Sequence, residues 1–167
     1  MRNAFCLAIV LVLNAFTAFS ASEAEELGTF GSWVAYKDTE RGKAACYMIS
    51  KPAKSAGDYT RRGDVFLTIT HRPARKSLDV ISVVAGYQYK DDADVTVSVD
   101  GISWAFFTNT DRAWARDTAT DKAVATAIAR GHTMVVKGTS NRGTLTTDTF
   151  DLSGSSNAYK AINEACK

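Results

Sequence analysis

The chain has 167 residues, and its 20 basic and 18 acidic side chains leave a net charge of +2. That near balance excludes bulk electrostatic attraction to nucleic acid. Two prolines, 11 scattered glycines and the absence of an internal repeat leave no linker or low-complexity tract, so one domain with a sizeable core is expected.

The first element is a leader. Arg2 supplies a positive charge, and Ala4 to Phe19 is an apolar run interrupted only by Asn14 and Thr17. Small residues follow at once, the composition a signal peptidase reads. The run is a few residues short of the roughly 20 that span a bilayer. A signal peptide over residues 1–22, cleaved between Ser20 and Ala24, and a single domain over 23–167 are therefore expected. Cys6 opens the apolar run and does not close it, which argues against a lipid anchor. With the leader removed, two cysteines remain, Cys46 and Cys166. An even pair in an exported protein is most simply a disulfide. It would close a loop of about 121 residues, for which chain entropy gives up to roughly 4–5 kcal/mol.

Most of the remaining chain alternates as strands do. Thr29 to Tyr36 carries Phe30, Trp33, Val34 and Tyr36, and Ala45 to Ser50 alternates Tyr47 and Ile49 against Cys46 and Met48. Asp64 to His71 sets Val65, Leu67, Ile69 and His71 on one face, and Val80 to Ala85 is apolar on both, as a central strand requires. Asp100-Gly101 is a type I′ turn dipeptide. It pairs Val99 with Ile102, Val97 with Trp104 and Val95 with Phe106, all on one face. A short strand around Trp114 follows, within Arg112 to Arg116. A helix is expected over 121–130, with Thr120 as N-cap, Asp121 in the first turn, Val124, Ala127 and Ile128 buried, and Gly131 at C′. Thr133 to Lys137 reads as a strand. In Gly143 to Leu152 the alternation slips midway, which suggests an edge strand with a bulge. A second helix, over 156–166, places Tyr159, Ile162 and Cys166 at i, i+3 and i+7, so Cys166 faces inward. Short strands with turns between them and two short helices make the chain mainly β, an antiparallel sandwich or barrel.

Few motifs suggest chemistry. Gly138 to Gly143 has the G-x-x-x-x-G spacing of a phosphate loop but lacks the following Lys-Ser/Thr and runs into a strand, so it reads as a hairpin loop. Arg62-Gly63-Asp64 is the tripeptide that integrins read, and it sits where a loop enters a strand. His71 and His132 are the only histidines. No metal-binding spacing and no G-x-S-x-G is present, so neither a metal nor a cofactor is expected. A hydrolase would have to assemble His132 or His71 with nearby acids, Ser140 and Asp148 being imaginable partners of His132. Basic residues gather in Lys51, Lys54, Arg61, Arg62, Arg72, Arg75 and Lys76. With Tyr87, Tyr89 and Trp114 they form a candidate binding surface, comprising Arg61, Arg62, Arg72, Arg75 and the three aromatics. Trp33 and Trp104 read as core.

The blocks Gly31-Ser32-Trp33, Cys46-Tyr47, Arg62-Gly63-Asp64-Val65 and Thr70-His71-Arg72-Pro73 occur in the order found in the invasion-associated locus B family, which the chain resembles. Ala85-Gly86-Tyr87, Ala113-Trp114-Ala115-Arg116, Met134 to Ser140 and Arg142 to Asp148 continue the likeness. The resemblance runs from about Phe30 to Cys166. It implies an exported protein of Gram-negative bacteria with an immunoglobulin-like β-sandwich. It implies no catalytic residue, and the family's name reflects host-cell entry by a few pathogens. The expectation is a non-enzymatic periplasmic, outer-membrane-associated or secreted protein that binds an envelope or host partner. An envelope hydrolase and a small-ligand carrier with an aromatic groove between sheets are the alternatives.

Overall fold

The computed structural model describes residues 24–167. The expected leader over 1–22 lies outside the described residues. Among the described residues, eleven strands form one antiparallel ladder that folds back on itself into two layers. The first layer holds β1 (Glu25–Phe30), β2 (Trp33–Glu40), β3 (Lys43–Ser50), β5 (Phe66–Arg72), β6 (Ser77–Val84) and β9 (Arg112–Trp114), side by side in that order. The second holds β7 (Val95–Val99), β10 (Thr133–Thr139), β11 (Leu145–Asp151) and β4 (Lys54–Gly57). The strand β8 (Ile102–Asn109) joins the layers. Its first half pairs with β7, and Phe107 to Asn109 pair with β9. Such a strand, switching sheets along its length, makes the corner of a sandwich. The mainly β antiparallel sandwich with two helices is as expected.

The layers bury facing rows of side chains. Register puts Ala35 beside Met48, Met48 beside Ile69 and Ile69 beside Ile81, and all four are fully buried. The opposing row is Val95, Val97, Phe106, Met134 and Phe150, also fully buried. A large apolar side chain taken out of water contributes about 1.5–3 kcal/mol, so Trp33, Phe106 and Phe150 anchor this core. The Asp100-Gly101 hairpin has the expected register, with Val95 opposite Phe106 and Val99 opposite Ile102. Asp100 and Gly101 both take positive φ, +46° and +93°, as a type I′ turn requires.

Helix α1 (Thr118–Arg130) lies on β6, and α2 (Ser155–Ala165) lies on β1, β2 and β3 and against α1. The N-cap of α1 is Asp117 and not the expected Thr120. The Asp117 Oδ1 accepts the Thr120 backbone N–H at 2.7 Å, because a carboxylate three residues upstream reaches an orphan first-turn donor. Gly131 ends α1 in an extended conformation (φ −87°), not the left-handed one, and a Cβ there would lie 2.7 Å from the Val99 side chain. The inward stripe is Val124 and Ile128, with Asp121 and Ala125 also buried and Ala127 at its margin.

Two strand expectations are corrected. The segment 29–36 is a hairpin and not one strand. Gly31, at φ +57°, turns β1 into β2, and a Cβ there would meet the Ser153 carbonyl at 2.5 Å. The segment 143–152 is not a bulged edge. As β11 it pairs in unbroken register with β10 on one side and β4 on the other. Its alternation looked broken because two inward positions, Thr146 and Asp148, are polar, while Leu145 points out at 60% exposure. The true edge is β4, whose Lys-Ser-Ala-Gly sequence carries no apolar alternation.

Cys46 on β3 and Cys166 at the end of α2 form the expected disulfide, with Cα atoms 5.9 Å apart across a separation of 120 residues. It clamps the last helix to the first layer, beside His71, which is paired with Cys46 in the ladder.

Candidate functional site: the polar end of the sandwich

The inward polar residues of β11, Thr146 and Asp148, meet Tyr87 and Arg62 at one end of the sandwich. Asp148 points inward from β11, and Arg62 reaches it from the loop between β4 and β5. The Arg62 Nη1 donates to Asp148 Oδ1 at 2.8 Å and Nη2 to Oδ2 at 2.7 Å, a two-pronged pair whose side chains are 5% and 3% exposed. The Nε donates to the Ala85 carbonyl at 2.7 Å, and the Ser55 hydroxyl on β4 donates to Asp148 Oδ1 at 2.7 Å. Burial works against the Arg62 charge, but the hydrogen bonds and negative charge of Asp148 outweigh it and raise the guanidinium's pKa. The planar fork of Arg matches a carboxylate in a way Lys cannot.

Two tyrosines enclose the guanidinium. Its carbon lies 5.4 Å from the Tyr59 ring centre and 5.0 Å from that of Tyr87. Tyr87 meets Tyr89 edge to face, and its hydroxyl shares a 2.7 Å hydrogen bond with Thr146. Tyr89 is 4% exposed, and burial pushes its phenol upward. Gly138 is the space Tyr89 needs, since a Cβ there would lie 2.6 Å from the ring. In front of this assembly opens a cleft of about 660 Å³ whose walls include Tyr59, Arg61, Tyr87, Gln88, Asn141 and Arg142.

The residues of the expected binding surface fall in three places. Arg61, Arg62 and Tyr87 meet at this cleft, with Tyr89 behind them. Arg62 is a buried structural cation and not an exposed one. The Arg62-Gly63-Asp64 tripeptide therefore presents no free arginine, and its glycine N–H is bonded to the Gly86 carbonyl at 2.9 Å. Arg72 pairs with Glu40 through two 2.8 Å hydrogen bonds at the far end of β5, where Arg75 closes a 3-10 turn. Trp114 lies on the outer face of the first layer, stacked on Phe107 with ring centres 5.7 Å apart. That face also carries Val34, Tyr36, Tyr47, Ile49 and Phe66, around a groove of about 640 Å³.

Sequence reasoning missed Tyr59, Ser55, Gln88 and Arg142 as contributors to the polar end. The signal that pointed there was the broken alternation of 143–152, in which an inward aspartate calls for a buried cation.

The histidines are elsewhere. His132 is exposed, its Nδ1 3.5 Å from Asp100 Oδ2, at the opposite end of β10 from Ser140. His71 is buried. Its Nδ1 accepts the Asp79 backbone N–H at 3.0 Å, and desolvation lowers its pKa. Tyr159 packs edge-on to it and donates to Asp79 at 2.5 Å. Among the described residues no cluster of metal-ligating side chains occurs. No helix among them is long and apolar enough to cross a membrane.

The fold has a counterpart among solved structures. The crystal structure of invasion associated protein B from Bartonella henselae superimposes with a TM-score of 0.58 at 16% identity, over 86% of this chain and 97% of that one. At that identity the likeness is one of fold. No curated protein matches the chain. A family model described as invasion associated locus B (IalB) protein matches residues 33–163, which run from Trp33 at the start of β2 into α2 and include the whole polar end. With most of its length matched in this way, the chain belongs to the invasion associated locus B family.

Proposed function

We propose that this is a non-enzymatic binding protein of the bacterial envelope, exported behind a cleaved signal peptide, that engages an envelope or host partner through the polar end of its sandwich. One observation carries the reading. The Arg62–Asp148 pair and the Tyr59–Tyr87 enclosure build a cleft from several elements, and the buried charges behind it are held by each other and not poised for proton transfer. The disulfide supports an oxidising compartment, and membership of the family supports the envelope.

No observation favours the hydrolase reading. His132 has Asp100 beside it but lies a strand's length from Ser140, and Asp148 is held by Arg62. The space between the layers is filled by Phe106, Met134 and Phe150, so a carrier's ligand would have to occupy the end cleft and not the interior.

The test is site-specific photo-crosslinking in live cells. A photoreactive residue at Thr60, exposed on the cleft wall, should give a discrete adduct, and the same residue at Leu78, on the β5–β6 side, should not. Equal labelling from both positions, or none from Thr60, overturns the assignment of this end.

A further inference from the structure

The cleft's own chemistry narrows its ligand. Its rim carries two cations from different loops, Arg61 from the β4–β5 connection and Arg142 from the β10–β11 turn. Both are exposed, and among the described residues neither joins an ion pair, in contrast to Arg62, Arg72 and Arg116, each of which has a carboxylate partner. Asp58 is the one acidic side chain on the same wall outside the internally neutralised Arg62–Asp148 pair. The cleft is therefore basic where a ligand enters and neutral behind.

Its floor is not apolar. Hydroxyls of Ser140 and Thr144 and the amides of Gln88 and Asn141 line it. The two amides bond each other at only 3.4 Å, which leaves them available to a better partner. Tyr59 stands at the mouth, 37% exposed, with the Arg62 guanidinium behind it. An aromatic ring offers a flat apolar surface to the C–H face of a sugar, the hydroxyl and amide groups match its hydroxyls, and free guanidinium forks match a carboxylate or sulfate. The volume of about 660 Å³ lies within the roughly 300–1,000 Å³ of small-ligand sites.

We propose that this cleft binds an acidic saccharide, with Tyr59 as the stacking platform and Arg61 and Arg142 as the anion clamp. The proposal rests on the reading of this end as the binding surface. It excludes an acyl chain, because the polar floor would be desolvated without compensation.

The experiment is calorimetric titration of the oxidised protein with trigalacturonic acid and, as an uncharged control of equal length, cellotriose. Trigalacturonic acid should bind, with an affinity that falls at high salt, and cellotriose should bind at least about tenfold more weakly. The R61Q/R142Q variant changes only exposed side chains, so it should keep the wild-type melting temperature and lose about tenfold or more in affinity. Tyr59→Ala should weaken binding and Tyr59→Phe restore it. Backbone amide shifts on titration should centre on Tyr59, Gln88 and Arg142. Equal affinity for the two sugars, no binding of trigalacturonic acid, or an unaffected double variant would overturn the proposal. If trigalacturonic acid fails while crosslinking from Thr60 still gives its discrete adduct, the ligand class falls and the binding surface stands. If both fail, both fall.

Discussion

Replacing Arg62 with methionine keeps much of the side-chain volume and deletes the charge at the centre of the polar end. Asp148, 3% exposed, would lose both guanidinium donors and keep the Ser55 hydroxyl, and the Ala85 carbonyl would lose the Nε. Removing one member of a buried pair leaves an uncompensated charge, at a cost of about 3–5 kcal/mol. Against a typical net stability of about 5–15 kcal/mol this is a large fraction. With a urea slope near 2 kcal/mol per molar, the unfolding midpoint should fall by roughly 1.5–2.5 M. Asp148→Leu strands the cation and should cost a similar amount. The double variant removes both charges, so it should lie well above the sum of the singles, with a coupling energy of about 2–3 kcal/mol. Urea unfolding followed by tryptophan fluorescence on the oxidised proteins reads all four corners of the cycle. Single variants that each cost less than about 1 kcal/mol and add in the double would refute the reasoning, since the pair would then behave as exposed ion pairs do.

Other perturbations test the first layer. Asp121 is buried and accepts the Ile81 N–H at 2.9 Å; burial, reinforced by Asp79 and Asp117, pushes its carboxyl up to about 6. A raised folded-state pKa contributes stability below the unfolded value near 4 that is lost as pH rises through about 6. Going from pH 4 to pH 8 should therefore cost the native protein on the order of 2–3 kcal/mol more than Asp121→Asn; parallel pH profiles of their urea midpoints would contradict this. His71 acts in the opposite sense. Burial depresses its pKa, so its contribution holds above about 6.5 and is lost as pH falls below that value, and His71→Gln should flatten this limb of the stability curve. Reducing the Cys46–Cys166 bond releases α2 from β3 and should lower stability by about 2–5 kcal/mol, visible as a drop in melting temperature under reductant; an unchanged melting temperature would show that helix packing alone holds the C-terminus.

Local sequence specified those elements whose apolar spacing and turn chemistry agree. The Asp100-Gly101 hairpin is legible because two residues must take positive φ and the flanking valines and aromatics can face the core in only one register. The first of these conditions makes the turn; the second forbids slippage. The terminal helix, the two-faced apolar β6 and the cysteine pair were legible for similar reasons. The polar end was not. Arg62 looked exposed because arginines usually are, and β11 looked like a disrupted edge because its inward Thr146 and Asp148 are polar. These are two halves of one arrangement separated by 86 residues. Neither half shows its partner in local periodicity, since a buried charge is tolerable only when a distant segment neutralises it. Composition, spacing and turn dipeptides determined the two helices, the staple and the strands whose apolar alternation is regular. Which loops meet around Arg62, which edge β4 covers, and which arginines are left free at the cleft were decided by tertiary packing, because those outcomes depend on the pairing of chain segments far apart in sequence.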